Sequence, residues 1–141
     1  MQRLETSTAR PRRQTQARPL VVLAVDNEKT RSEYAYVLSA SGFDVAIQRQ
    51  GERWHACAGG SRPSIIVVEV AVEKCDGWVA VQTFRRDPET SDAPIIAAAD
   101  DVGTATRDRA RREGCIAVCL KQCSAEALAA GLQAVLGRAD R

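Results

Sequence analysis

The stretch that decides the fold is SIIVVEVAVEKCDG, residues 64–77. Its β-branched residues at 65–68 follow one another with no polar residue between them. Such an uninterrupted run is typical of a strand buried on both faces of a parallel sheet. Glu69 then marks the carboxyl end of the strand, and in open α/β sheets ligands bind at that edge. A carboxylate there is either a functional group or half of an ion pair, because an unpaired charge beside a buried strand is costly.

Short apolar runs alternate with amphipathic segments on both sides of this strand. Strands are predicted at 20–25, 43–47, 65–69, 95–99 and 116–120, and helices at 29–41, 52–58, 78–86, 104–113 and after the capping residue Ser124. The alternation predicts βαβ units and a parallel sheet. Since such crossovers are right-handed, the expected strand order is 2-1-3-4-5. We therefore predict an α/β fold, a flavodoxin-like (βα)5 three-layer sandwich with a parallel five-stranded sheet.

Composition divides the 141 residues into a basic tail and one domain. Residues 1–19 hold five arginines, one acidic residue and two prolines, which predicts a disordered tail. The domain is expected at 20–137, followed by a short C-terminal tail at 138–141. The whole chain carries a net charge of +2 and residues 1–19 carry +4, which leaves −2 on the remainder. The basic tail is expected to be solvated, with contact to an anionic partner and organellar targeting as alternatives.

The cysteines indicate a reducing compartment. Their number, five, is odd, and no CxxC pair occurs, so we expect reduced thiols in a cytoplasmic protein. His55 and Cys57 could begin a metal site, but His55 is the only histidine, and no metal site is predicted there. No apolar run approaches the ~20 residues that would span a bilayer, so no membrane contact is expected.

Four segments resemble the receiver domain of two-component response regulators. They are VLAVDNEKTR (22–31), IIVVEVAVEKCDGW (65–78), FRRDPETSDAPIIAAA (84–99) and GCIAVCLKQCSAEAL (114–128). The resemblance covers residues 20–136 without a gap. The intervals of 43 positions from Asp26 to Glu69, 30 on to Ala99 and 22 on to Lys121 fit the spacing of that family.

The resemblance assigns a place to each site residue. In that family an acidic pair ends the first strand, a phosphate-accepting aspartate the third, a threonine or serine the fourth, and a lysine followed by proline the fifth. By resemblance, Asp26 is the second acid, Glu69 stands at the acceptor position, and Lys121 is the family's lysine. Four further positions depart from the family pattern: Val25 at the first acid, Ala99 at the hydroxyl, Val118 at the aromatic that swings with it, and Gln122 at the proline.

These departures remove parts of the phosphoryl-transfer apparatus. Transfer to a carboxylate needs in-line positioning and Mg²⁺, and Val25 removes one carboxylate ligand. Glu69 is longer than aspartate by one methylene, about 1.5 Å, and a misplacement of about 1 Å can cost on the order of 100-fold in rate. We therefore expect no cofactor, at most weak Mg²⁺ binding at Asp26, Glu69 and Ala71, and no enzymatic activity. An ion pair between Glu69 and Lys121 would either hold a permanently active-like state or be only structural.

The sequence is thus interpreted as an atypical receiver domain that is not phosphorylated and acts by protein–protein interaction. The expected partner is a kinase, an output protein or another regulator, and a homodimer is left open. The family's output face comprises the fourth predicted helix, the fifth strand and the last helix. The arginines on it are Arg107, Arg109, Arg111 and Arg112, which are either solvated or dock an acidic partner.

Two alternative functions stay open at this stage. One is a phosphorylatable receiver with altered site chemistry, and the other is nucleic-acid association through the arginine-rich N-terminal tail. Nucleic-acid binding is disfavoured because residues 20–141 carry a net negative charge and no helix-turn-helix segment follows the predicted receiver domain.

Overall fold

A computed structural model describes residues 18–49, 62–71, 76–121 and 123–139. Five parallel strands form one sheet in the order β2-β1-β3-β4-β5. The strands are β1 (Leu20–Ala24), β2 (Asp44–Ile47), β3 (Ile65–Glu69), β4 (Ile95–Ala99) and β5 (Ala117–Leu120), and the described helices are α1 (Glu28–Ala40), α2 (Asp76–Arg86), α3 (Thr104–Arg112) and α4 (Ala125–Ala139). The predicted fold class and strand order are confirmed. The helix predicted at 52–58 lies outside the described residues.

The sheet separates two apolar cores, which makes the fold a three-layer sandwich. Side chains alternate between the faces of a strand, so Ile66 and Val68 contribute to one core while Ile65 and Val67 contribute to the other. The first core is completed by α2 and α3, with Trp78, Val81, Phe84 and Ala110. The second is completed by α1 and α4, with Tyr34, Leu38, Leu128 and Leu132. A fully buried side chain of this size contributes about 1.5–3 kcal/mol of hydrophobic stabilisation.

Capping residues set the helix limits near the candidate site. The Asn27 side chain accepts the Thr30 N–H at 2.9 Å and so begins α1 directly after the first strand. The predicted cap of the last helix is also observed, because the Ser124 hydroxyl accepts the Ala127 N–H at 3.0 Å. None of the described helices is long and apolar enough to cross a membrane.

Contacts with the domain begin at Arg18, two positions before the predicted boundary at Leu20. The Arg18 guanidinium donates to the carbonyls of Ser39 at 2.6 Å and Phe43 at 2.7 Å, and pairs with Asp44 at 3.2 Å. Pro19 accepts the Asp44 N–H at 2.9 Å, which extends the pairing of β1 with β2. At the other end α4 continues to Ala139, two residues past the predicted limit.

Candidate functional site

Three strand ends meet at the carboxyl edge of the sheet. Glu69 is the last residue of β3, β1 is followed by Val25 and Asp26, and β4 ends at Ala99. The close approach of α2 to this edge requires a residue without a side chain, because a Cβ at Gly77 would lie 2.2 Å from the Glu69 carbonyl oxygen. The N-terminal turn of α2 is therefore packed directly against the backbone that carries Glu69.

Both carboxylate oxygens of Glu69 have partners within the chain. Oε1 accepts the backbone N–H of Asp26 at 2.8 Å, and Oε2 lies 3.3 Å from Nζ of Lys121. The side chains of Glu69 and Lys121 are 21% and 20% exposed, so the ion pair is shielded from water but not sealed. Glu69 thus joins the ends of β1, β3 and β5.

Lys121 also pairs with a residue that the sequence analysis did not select. Its Nζ lies 3.4 Å from Oδ1 of Asp100, the residue directly after β4. The predicted set of Asp26, Glu69 and Lys121 has a net charge of −1, and adding Asp100 makes it −2. The position of Asp100 just after a buried strand was a usable signal, since all parallel strands end at the same edge.

The position of the missing first acid is apolar and buried. Val25 is 1% exposed, and its carbonyl oxygen lies 3.3 Å from a terminal nitrogen of Arg31. The same nitrogen reaches the Asp26 carbonyl at 3.4 Å. A guanidinium group therefore covers the backbone oxygens at the end of β1, and with Arg31 included the net charge of the cluster falls to −1.

Of the other predicted positions, Ala99 lies at the same edge as Glu69. Ala99 is buried, and its carbonyl accepts the Lys121 N–H at 2.8 Å. Val118 is half-buried in β5, pairs in register with Ala97 of β4, and packs against the core beside α2 and α3. Ala71 is half-buried two residues past the end of β3. Gln122 lies outside the described residues.

A buried tyrosine fixes the backbone beneath Lys121. The Tyr34 hydroxyl donates to the Lys121 carbonyl at 3.1 Å and lies 3.9 Å from the Cys123 sulfur. Burial of Tyr34, and then its proximity to Cys123, raises the pKa of the phenol far above its usual range, so the hydroxyl stays a hydrogen-bond donor. No sequence signal predicted this contact, because 87 positions separate the two residues.

The described residues around Glu69 leave few uncommitted oxygen ligands for a divalent cation. Mg²⁺ requires several free oxygen ligands in near-octahedral geometry. Both Glu69 oxygens are engaged, and the Val25 and Asp26 carbonyls face the Arg31 guanidinium. Nowhere in the described ranges does a group of three His, Cys, Asp or Glu side chains lie close enough to hold a metal ion.

The four predicted arginines all lie on α3, but they do not behave alike. Arg109 stacks over the Trp78 ring at 4.9 Å from its centroid and pairs with Glu113 at 3.2 Å. Arg111 pairs with Asp108 at 3.2 Å. Arg107 and Arg112 are exposed. The first of these contacts is internal, so Arg109 belongs to the packing between α2 and α3.

The geometry can be set beside known proteins. No family model matches the chain. Among solved structures, the chemotaxis protein CheY4 of Vibrio cholerae superimposes with a TM-score of 0.75 at 21% identity, over 84% of this chain and 99% of that one. A response regulator of Thermotoga maritima gives 0.72 at 16% identity, over 86% and 99%. The chain has the fold of a response regulator receiver domain.

Receiver-fold relatives also match in sequence. The polar-differentiation response regulator DivK of Brucella anthropi is 24% identical over 119 residues, 84% of this chain and 97% of DivK. The DNA-binding dual master transcriptional regulator RpaA of Synechocystis is 29% identical over 76 residues, 53% of this chain. That match spans only 32% of RpaA. The resemblance drawn from the sequence is confirmed for the fold.

Proposed function

We propose that this receiver-fold domain is a two-component signalling module that is not phosphorylated at Glu69 and acts by binding another protein. The observation that supports this most is the double engagement of the Glu69 carboxylate. One oxygen accepts the Asp26 N–H and the other pairs with Lys121. A phosphoryl acceptor must present an oxygen lone pair in line with the leaving group. The two contacts use one lone pair on each oxygen and hold the carboxylate in a fixed orientation, which disfavours that alignment.

The surroundings of Glu69 support the same proposal. The buried Val25 replaces a carboxylate that could hold Mg²⁺, and the buried Ala99 offers no hydroxyl to bind a phosphoryl oxygen. We propose that the domain has no resident cofactor. We also propose that it performs no catalytic step of its own. Phosphoryl transfer requires positioning and charge neutralisation from the protein, and Val25 and Ala99 supply neither.

The Glu69–Lys121 pair is proposed to be structural. Lys121 is shared with Asp100, and Ala99 has no group through which the pair could pull on the loop after β4. A conformational switch needs contacts that differ between two states, and no such contact follows from these side chains. The proposed domain therefore presents one surface constitutively.

Incubation with acetyl phosphate and Mg²⁺, followed by intact-mass measurement, tests the chemistry. We expect no phosphoryl adduct on the native chain or on Glu69→Asp, since Val25 and Ala99 still lack their groups. The combined variant Val25→Asp, Glu69→Asp, Ala99→Thr is the positive control, because it restores the acid, the acceptor and the hydroxyl. A phosphoryl group mapped to Glu69 of the native chain, or a stable acyl phosphate on Glu69→Asp, would contradict the proposal.

A further inference from the structure

One edge of the sheet is open for hydrogen bonding. In the described part of the chain β5 pairs only with β4, at the end of the sheet. The Lys121 N–H, directly after β5, donates to the Ala99 carbonyl at 2.8 Å, toward the sheet interior. Backbone groups alternate in direction along a strand, so Val118 presents its N–H and C=O groups, and Leu120 its N–H, to the outside.

This edge lacks the features that usually block strand addition. Proteins protect edges with charged residues, proline or bulges, and the four residues AVCL of β5 include none of these. Ile116 is 53% exposed and Leu120 is 38% exposed. They share one side of the strand with the half-buried Val118, which gives the edge an apolar stripe beside α3. The opposite edge, β2, begins instead with Asp44.

A positively charged groove runs along the same edge. Its volume is about 340 Å³, and Ile116 and Val118 line it together with Arg107 and Arg111 of α3. Residues 104–113 contain four arginines and two acidic residues, a net charge of +2. Arg107 donates through Nε to the Val102 carbonyl at 2.7 Å, and among the described residues it has no carboxylate partner. The groove therefore combines an apolar floor, a basic rim and an open backbone edge.

We propose that an extended acidic segment of a partner protein adds to β5 as a sixth strand. Its backbone bonds to the open edge, its apolar residues cover Ile116, Val118 and Leu120, and its carboxylates pair with Arg107 and Arg111. The proposal rests on the proposed function, because it names the mode and the charge of the protein partner.

Charge favours this occupant over a second copy of the chain. Antiparallel pairing of two β5 edges about an axis normal to the sheet would keep both α3 helices on one face of the joined sheet. Two helices with the same excess of arginine would then lie side by side, and like-charge juxtaposition opposes association. An acidic strand would instead place negative charges beside the arginines of α3, which favours association.

The first experiment uses a synthetic peptide of alternating glutamate and valine, long enough to span β5, titrated into the intact isotope-labelled protein. We expect amide shifts at residues 116–120 and slowed hydrogen exchange at Val118 and Leu120. Two control peptides keep part of the chemistry. The same sequence N-methylated on alternate residues keeps the charge but loses one bonding edge, and a lysine–valine peptide reverses the charge. We expect both to bind at least about tenfold more weakly.

Variants of the protein separate the two contributions. Leu120→Pro removes an outward N–H at an exposed position, where proline is tolerated on an edge strand, and Leu120→Val is its matched control. Arg107→Glu with Arg111→Glu should weaken binding of the glutamate–valine peptide at least about tenfold, whereas Arg86→Glu on α2 should change it less than about twofold. If Leu120→Pro fails to fold by circular dichroism, the N-methylated peptide still tests the edge.

Several outcomes would overturn the proposal. They are absence of peptide binding, equal binding of the N-methylated peptide, helical structure in the bound peptide, or a dimer of the free protein whose contacts map to β5. None of these results depends on phosphorylation at Glu69, so a failure here and a failure of the acetyl phosphate test can be told apart.

Discussion

At the residue scale, the contacts of Glu69 decide what the site contains. One carboxylate accepts the Asp26 N–H through Oε1 and pairs with Lys121 through Oε2. Because both members of the ion pair are about one-fifth exposed, their pairing is weaker than Coulomb attraction in a dry interior would suggest. The main result of this double contact is geometric, since it joins three strand ends.

Two thiols outside this site are held in their neutral form. Burial raises the pKa of Cys115 to about 11 and that of Cys119 to about 12, with the neighbouring Cys123 as a second cause for Cys119. The thiolate is the reactive species, so both should be poor nucleophiles near neutral pH. Cys115 lies in the core beside α2 and α3, and Cys119 packs on the opposite face.

We predict that iodoacetamide at pH 8 modifies Cys115 and Cys119 only after unfolding, as read by peptide mass spectrometry. The same shifts predict a fall in stability as pH rises from about 9 to about 11, because the unfolded thiols ionise first while the folded ones stay protonated. Below pH 9 the contribution is fully present. Cys115→Ala should flatten this alkaline fall. Rapid labelling of either thiol in the native protein would contradict the prediction.

At the site, strand order could be predicted from the sequence, but contacts that depend on three-dimensional packing could not. The approach of Glu69 to Lys121 results from parallel strands that end at one edge. Asp100 was within reach of the same argument. The Tyr34 contact was not, because nothing in the helical spacing of α1 indicates which distant carbonyl its hydroxyl meets. The role of Arg31 also depends on how α1 turns after Asn27.

At the scale of elements, the contact between α2 and β3 is the tightest constraint on the site. A Cβ at Gly77 would lie 2.2 Å from the Glu69 carbonyl oxygen and 2.8 Å from Val70 Cα. Both neighbours are backbone atoms, so neither can rotate away. The apolar patterns of the sequence predicted both β3 and α2. The need for glycine at their contact is visible only in the folded chain.

We predict opposite effects for two glycine-to-alanine substitutions. Gly77→Ala should destabilise the protein by about 1–3 kcal/mol, because overpacking forces the backbone apart. Gly131→Ala in α4, where a Cβ would meet nothing within 4 Å, should stabilise it by about 0.5–1 kcal/mol through the better helix propensity of alanine. Urea denaturation of both variants checks this. A neutral Gly77→Ala would show that α2 does not pack on β3 as described.

At the scale of the whole molecule, Arg18 contacts the domain, although composition assigned it to the basic tail. Arg18 joins the end of α1 to the start of β2 by two carbonyl contacts and an exposed ion pair. Composition could not separate it from the other arginines of residues 1–19, because all share the same charge and similar neighbours. The overall architecture, in contrast, could be predicted from apolar periodicity and crossover handedness alone.

We predict that Arg18→Ala lowers the free energy of unfolding by about 1 kcal/mol, since the net value of a hydrogen bond is of that order and the ion pair adds little. Arg86→Ala, at an exposed position of α2, is the matched control and should change stability by less than about 0.5 kcal/mol. Urea midpoints measured side by side decide the matter. Equal effects of the two substitutions would mean that Arg18 is not part of the domain.

The stacking of Arg109 on Trp78 has a practical consequence. The indole is 3% exposed, and the guanidinium that covers it belongs to α3. Any sliding of α3 along α2 would wet the ring and shift its fluorescence to longer wavelength. In a Trp54→Phe variant, Trp78 is the remaining tryptophan. Its emission maximum then reports the packing of α3 on α2, so docking of a partner can be followed without an attached dye.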